Sequence, residues 1–164
     1  LSVMKGEPGV TQVFSSADIP GEILDLMVVD TATLKANPNL GKALAGIWYE
    51  TVALMQRDDA EGMAARAAMA KLSGATPEMF DSQLKTTFLY ADPKAAVAAA
   101  TSPALVTTMT QVRDFSFSKG LFKGAASADA VGIAFPGGKV LGDPAWVTLR
   151  FDDAFMKLAA DGKL

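Results

Sequence analysis

Residues 23–29 read Ile-Leu-Asp-Leu-Met-Val-Val, six apolar side chains interrupted only by Asp25. A nearly continuous apolar run of this length suits a strand buried on both faces, as in a mostly parallel sheet covered by helices. A second β-type run, residues 10–14 (Val-Thr-Gln-Val-Phe), precedes it across the polar connector Ser15-Ser16-Ala17-Asp18-Ile19-Pro20-Gly21-Glu22. Gly6-Glu7-Pro8-Gly9 is a turn signal that releases the first run, and Pro20-Gly21 is a second turn between the two. Proline fixes one dihedral and glycine frees the next, so the direction of the crossing is set while local rotation stays cheap.

From Asp30 the pattern becomes helical for about ninety residues, judged by its three- and four-residue apolar spacing. Leu40, Leu44, Ile47, Trp48, Thr51, Leu54 and Met55 fall on one face and predict a long amphipathic helix over residues 39–56, with Trp48 on the core stripe. Asp58-Asp59-Ala60-Glu61 resembles a capping box and starts a helix whose apolar side is Met63, Ala67 and Ala70, ended by Gly74. Thr76-Pro77, Asp92-Pro93 and Ser102-Pro103 each place a capping side chain before a proline at the first helical position. The last quarter changes character. Residues 131–135 and 139–141 flank Pro136-Gly137-Gly138 as a tight hairpin, residues 147–151 form a further strand, and residues 153–160 a closing helix. The pattern as a whole is α/β and rich in helix.

The chain's 164 residues, half of them apolar and a fifth charged, are enough for one good core or for a lobe of something larger. Its net charge of −3 comes without a basic cluster, which leaves no footprint for a phosphate backbone and argues against nucleic acid as a partner. Cysteine and histidine are both absent. That excludes Cys or His zinc sites, Ser-His-Asp and Cys-His nucleophile pairs, and disulfides. Neither a metal nor an organic cofactor is expected. No apolar run reaches the length needed to span a bilayer.

The candidate binding residues lie in and beside the connector. Between Lys5 and Lys35 there is no Lys or Arg, whereas Asp18, Glu22 and Asp25 all fall there, so a ligand held at this place meets carboxylates and hydroxyls. A cation or a donor-rich neutral solute fits that set better than an anion. Asp25 ranks first, because a carboxylate inside an apolar strand costs several kcal/mol to desolvate unless something pairs with it. A solvated position, or backbone N–H groups from a neighbouring loop, would satisfy it equally well. Glu22 stands three residues earlier, which on an extended strand points it to the opposite face about 10 Å away. Ser15 and Ser16 can donate to a ligand or close a local turn at the strand end. Trp48 reads as packing, the methionines as core filler, and Arg113, Lys119 and Lys123 as the solvated side of a helix end.

The Ser15-to-Val29 segment, the Thr-Leu-Lys-Ala-Asn-Pro-Asn-Leu-Gly-Lys-Ala-Leu helix start and Val-Arg-Asp-Phe-Ser-Phe at residues 112–117 resemble periplasmic solute-binding proteins of bacterial ABC transporters. The class is that of nitrate, sulfonate and taurine binders, and within it the branch associated with urea carboxylase. Ala-Asp-Ala-Val-Gly-Ile, Val-Leu-Gly-Asp and Ala-Ala-Asp-Gly-Lys-Leu fit the same branch. The resemblance spans this whole chain but only about the C-terminal half of such a protein. It implies the helix-rich part of a two-lobed, type II periplasmic-binding-protein clamshell. Residues 1–20 would then be the last part of lobe 2 and the hinge crossing, and residues 21–164 the C-terminal part of lobe 1 with its helical and hairpin extension.

Further implications are a periplasmic location, an absent N-terminal half as a partner, delivery of the solute to an ABC permease, and no catalysis. An acidic residue matching Asp25 lies at the cleft of related taurine binders. Within the branch the solute is urea- or guanidine-like, or else taurine or another sulfonate. A guanidinium ion presents planar donors that a carboxylate accepts in pairs. Two alternatives stand beside transport. One is a periplasmic sensor or receptor-ligand module using the same clamshell. The other is a carboxylate hydrolase with Asp25 and Glu22 as an acid–base pair.

Overall fold

Helix starts follow directly from side chains that accept the first free N–H groups. In this computed structural model, which describes Met4 and residues 7–164, the Asp30 carboxylate accepts from the Thr33 N–H at 2.8 Å and opens α1, Thr31–Ala36. Asn37 closes α1 and opens α2, Pro38–Met55, without a side-chain cap. Asp59 accepts from the Gly62 N–H at 2.9 Å and begins α3, Ala60–Leu72. Thr76, Asp92 and Ser102 cap α4 (Pro77–Leu84), α5 (Pro93–Ala100) and α6 (Pro103–Ser118), each with proline at the first helical position. Proline is tolerated there because its missing N–H would have no intrahelical partner. Gly74, at φ +72°, lies just beyond α3, where only glycine adopts that conformation without strain.

α2 packs against α3 and α7 (Ala154–Ala160), while α5 also packs on α7 and α3 on α4. The closest approach is at Gly41, where a β-carbon would enter the Phe155 ring of α7. Gly41 and Val52 are the buried positions of α2. Trp48, expected on the core stripe, is 38 % exposed, and Ile47 is exposed further. Gly41 and Trp48, seven residues apart, share one face of α2, and the close α7 contact forms at the glycine while the indole two turns on stays part-exposed. In α3 the buried residues are Gly62 and Ala70, and Met63 is 54 % exposed rather than on the core side.

The sheet has three strands in the order β2-β1-β3. β1 (Gly132–Ala134) and β2 (Val140–Leu141) pair antiparallel, with Ile133 opposite Leu141 and Ala134 opposite Val140. The turn between them carries Gly137 and Gly138 at φ +83° and +86°, as the sequence requires for a tight reversal. β3 (Val147–Arg150) runs parallel to β1, with an irregularity between Gly132 and Ile133. Phe135 and Phe151 stack with ring centroids 5.4 Å apart beneath this sheet end. The architecture is therefore mixed α and β, helix-rich, with one small sheet.

The two runs expected to be strands before α1 are not. Residues 10–14 and 23–29 carry no ladder; they are irregular segments joined by one 3-10 turn, Ser16–Asp18. Val13, Ile23 and Val28 are 94, 64 and 75 % exposed, so burial on both faces is absent as well. A strand is defined by its neighbour, and the described residues offer none at this place. The surface records the same shortfall. A compact monomer of 17.1 kDa exposes about 7,700 Å², whereas this chain exposes 11,175 Å². Its buried apolar set is correspondingly small, consisting among the described residues of Val52, Ala70, Ala96, Ile133 and Phe135.

Candidate functional site

The connector is ordered by its own hydroxyl and carboxylate. The Ser15 N–H donates to Asp18 Oδ2 at 2.7 Å, the Ser15 hydroxyl donates to the same oxygen at 3.3 Å, and the Ala17 N–H donates to Ser15 Oγ at 3.3 Å. This reciprocal box is the local-turn alternative for Ser15, with both its side-chain donor and acceptor engaged. Ser16 is exposed, and its carbonyl accepts from the Ile19 N–H. The Ile19 carbonyl in turn accepts from the Glu22 N–H at 3.2 Å, which carries the chain through the Pro20-Gly21 turn. Gly21 stands at φ +84°, so glycine is required at that point.

Glu22 and Asp25 are both exposed, and neither carboxylate has a side-chain hydrogen bond or ion pair among the described residues. The desolvation argument for Asp25 is thus corrected. With residues 25–28 unpaired and open to water, its charge carries no burial cost, and the solvated alternative describes it. Its neighbours Leu26 and Met27 are exposed too. The structure brings Ser15 and Asp18 together, and the side chains of Ser16, Glu22 and Asp25 make no hydrogen bond to one another. What the arrangement offers chemically is a pair of free acceptors on an apolar segment.

Other charged groups are committed to holding the fold. Arg66 of α3 donates to the Met55 and Arg57 carbonyls at 2.8 and 2.7 Å and to Asp81 at 3.1 Å, so one guanidinium closes the end of α2 and ties α3 to α4. Arg113 does not lie on a solvated helix side as expected; its side chain is 10 % exposed and pairs with Asp114 and Asp129. Asp153 is 8 % exposed, with Oδ2 2.7 Å from the Lys157 ammonium, although the two are not aligned for a hydrogen bond. The Arg66–Asp81 and Arg113–Asp129 clamps leave no periodic signal in the sequence because their partners are 15 and 16 residues apart. The weak signal available was an arginine on a helix face otherwise apolar.

Hydrogen bonding also tunes several acids. The Asp30 carboxyl is held below its ordinary range by the Thr33 N–H and hydroxyl, and Asp59 by the Gly62 N–H and then by Arg57. Burial pushes the Tyr49 phenol up, and Asp92 adds to it. Two open hollows of about 310 and 280 Å³ adjoin one another at the ends of α2 and α4, near Met55, Gln56, Leu84 and Lys85; neither includes the connector. Among the described residues there is no cluster of three or more acidic side chains suited to a metal ion, and no helix long and apolar enough to cross a membrane. Compared with family models, curated proteins and solved structures, the chain matches none.

Proposed function

We propose that this chain is the C-terminal part of the solute-binding component of a bacterial ABC transporter, working in the periplasm. It would capture a small nitrogen-rich solute, urea- or guanidine-like or else taurine or a related sulfonate, in an interlobe cleft and hand it to a permease. The sequence resemblance is the origin of this reading. The observation that carries it is the pair of uncommitted carboxylates, Asp25 and Glu22, on a stretch without Lys or Arg that makes almost no use of its own apolar surface.

A carboxylate already satisfied inside the fold has little left to offer a solute. Asp25 retains all its acceptor capacity, enough to take two parallel N–H donors from a planar guanidinium. Residues 15–22 supply the hinge, with Gly21 and Pro20 setting the crossing. Hinge closure draws its free energy from tighter binding to the closed state. A sulfonate would require basic groups from the other half, since this segment has none. The hydrolase alternative is disfavoured because Asp25 and Glu22 share no hydrogen bond and neither lines a hollow.

Calorimetric titration of the complete polypeptide with guanidinium, urea, taurine and nitrate tests the proposal. Saturable binding of one of the first three, with the solute recovered unchanged, is the expected result. Absence of binding by all four, or chemical turnover of any, would refute it.

A further inference from the structure

Two opposite charges stand unused at the hollows between the ends of α2 and α4. The hollow of about 280 Å³ is lined by both Asp58 and Lys85, and among the described residues neither side chain has a hydrogen bond or an ion pair, with the other or with any third group. Their separation beyond ion-pair distance leaves room for a molecule that carries both charges. Gln56, on the same wall, has an equally uncommitted side-chain amide. Arg66 lines this hollow too. It uses Nε on Asp81 and Nη1 on the Met55 and Arg57 carbonyls, which leaves Nη2 over as a donor and Asp81 Oδ2 as an acceptor. Those three bonds fix the set in place.

Donors and acceptors are therefore balanced, with Lys85, Gln56 and Arg66 Nη2 suited to a carboxylate and Asp58 and Asp81 Oδ2 to an ammonium. A simple anion or a simple cation would leave half of the set unmatched, and an uncharged solute would leave both halves so. The adjoining hollow, of about 310 Å³, shares Lys85 and Leu84 and adds the Phe88 ring, which is held edge-on to Tyr90 with centroids 5.0 Å apart and is otherwise open to solvent. It offers an apolar side chain a wall beside the charged groups, and both volumes suit a small ligand. We infer that the two hollows together bind a free apolar α-amino acid, its carboxylate on Lys85, its ammonium on Asp58 and its side chain along Leu84 and Phe88. Neither hollow includes the connector, so this site stands apart from the transport reading.

Calorimetry of the complete polypeptide with L-leucine tests it, beside three analogues that each lack one element. N-acetylleucine lacks the ammonium, leucine methyl ester the carboxylate, and glycine the apolar side chain. Leucine should bind saturably and each analogue at least roughly tenfold more weakly. The amide NMR resonances of Gln56 and Thr87, at the two walls, should shift as leucine is added. Lys85→Met and Asp58→Asn, both at exposed positions, should each weaken leucine at least roughly tenfold while leaving the melting temperature unchanged. No binding of leucine, an analogue that binds as tightly as leucine, a variant that keeps the parental affinity, or shifts confined to residues away from these hollows would each overturn the inference.

Discussion

Gly41→Ala isolates the contact on which the helical layer depends. A methyl group at this position enters the Phe155 ring, with three ring carbons inside van der Waals distance, so α7 must move or the ring must turn. Overpacking of this kind costs about 1–3 kcal/mol, against a gain of about 1 kcal/mol from replacing a helical glycine by alanine. The net expectation is a loss of about 1 kcal/mol, read as a drop in melting temperature of roughly 2–4 °C for a chain of this size. Gly46→Ala, five residues on in the same helix, has nothing within 4 Å of the new methyl, so only the propensity gain remains. It should raise the melting temperature by about the same amount. Circular dichroism melts of the two single variants, and of Gly41→Ala combined with Phe155→Leu, give the answer. The double variant should recover most of the loss, because the ring edge that blocks the methyl is gone. If Gly41→Ala stabilised the chain as Gly46→Ala does, the α2–α7 packing described above would be wrong.

Arg66→Met removes three bonds from a largely buried guanidinium and should cost about 2–3 kcal/mol in urea unfolding, whereas Arg57→Met, on an exposed ion pair, should cost clearly less. Equal costs would remove Arg66 from the role of clamp. Acid unfolding should follow the helix caps. The folded carboxyl of Asp59 lies below its ordinary value of 3.8, so its stabilisation is complete above that value and lost as pH falls through the lower folded value. Asp59→Asn keeps an N-cap acceptor and removes that titration, so the urea midpoint of the variant should fall less between about pH 6 and pH 3 than that of the parent. An unchanged acid limb would show that the cap does not contribute.

Helix starts were legible because their signal is local. Thr76, Asp92 and Ser102 cap as read, and the prolines after them stand where a proline costs nothing, while the capping-box pattern at residues 58–61 places its cap one residue early, at Asp58 rather than Asp59. The Gly137-Gly138 hairpin followed from dihedral demands alone. The buried faces were harder to read. The α2 stripe was weighted toward large side chains, while its contact surface is set by Gly41, which adds nothing to a hydrophobic count. Arg66 and Arg113 bind across 15 and 16 residues of chain, beyond any periodic pattern. The 23–29 run was read correctly as an apolar segment and wrongly as a strand within this chain, because apolarity states a need for neighbours and cannot supply them. In the candidate site, the Ser15 turn and the solvated state of Asp25 are each one of the two outcomes that the sequence leaves open.

The central claim is that Asp25 serves a solute rather than the fold, and calorimetry of the complete polypeptide before and after Asp25→Asn addresses it most directly. A guanidinium-type solute should bind at least tenfold more weakly to the variant, a loss of about 1.4 kcal/mol, with no change in melting temperature. Equal affinity in parent and variant would contradict the account.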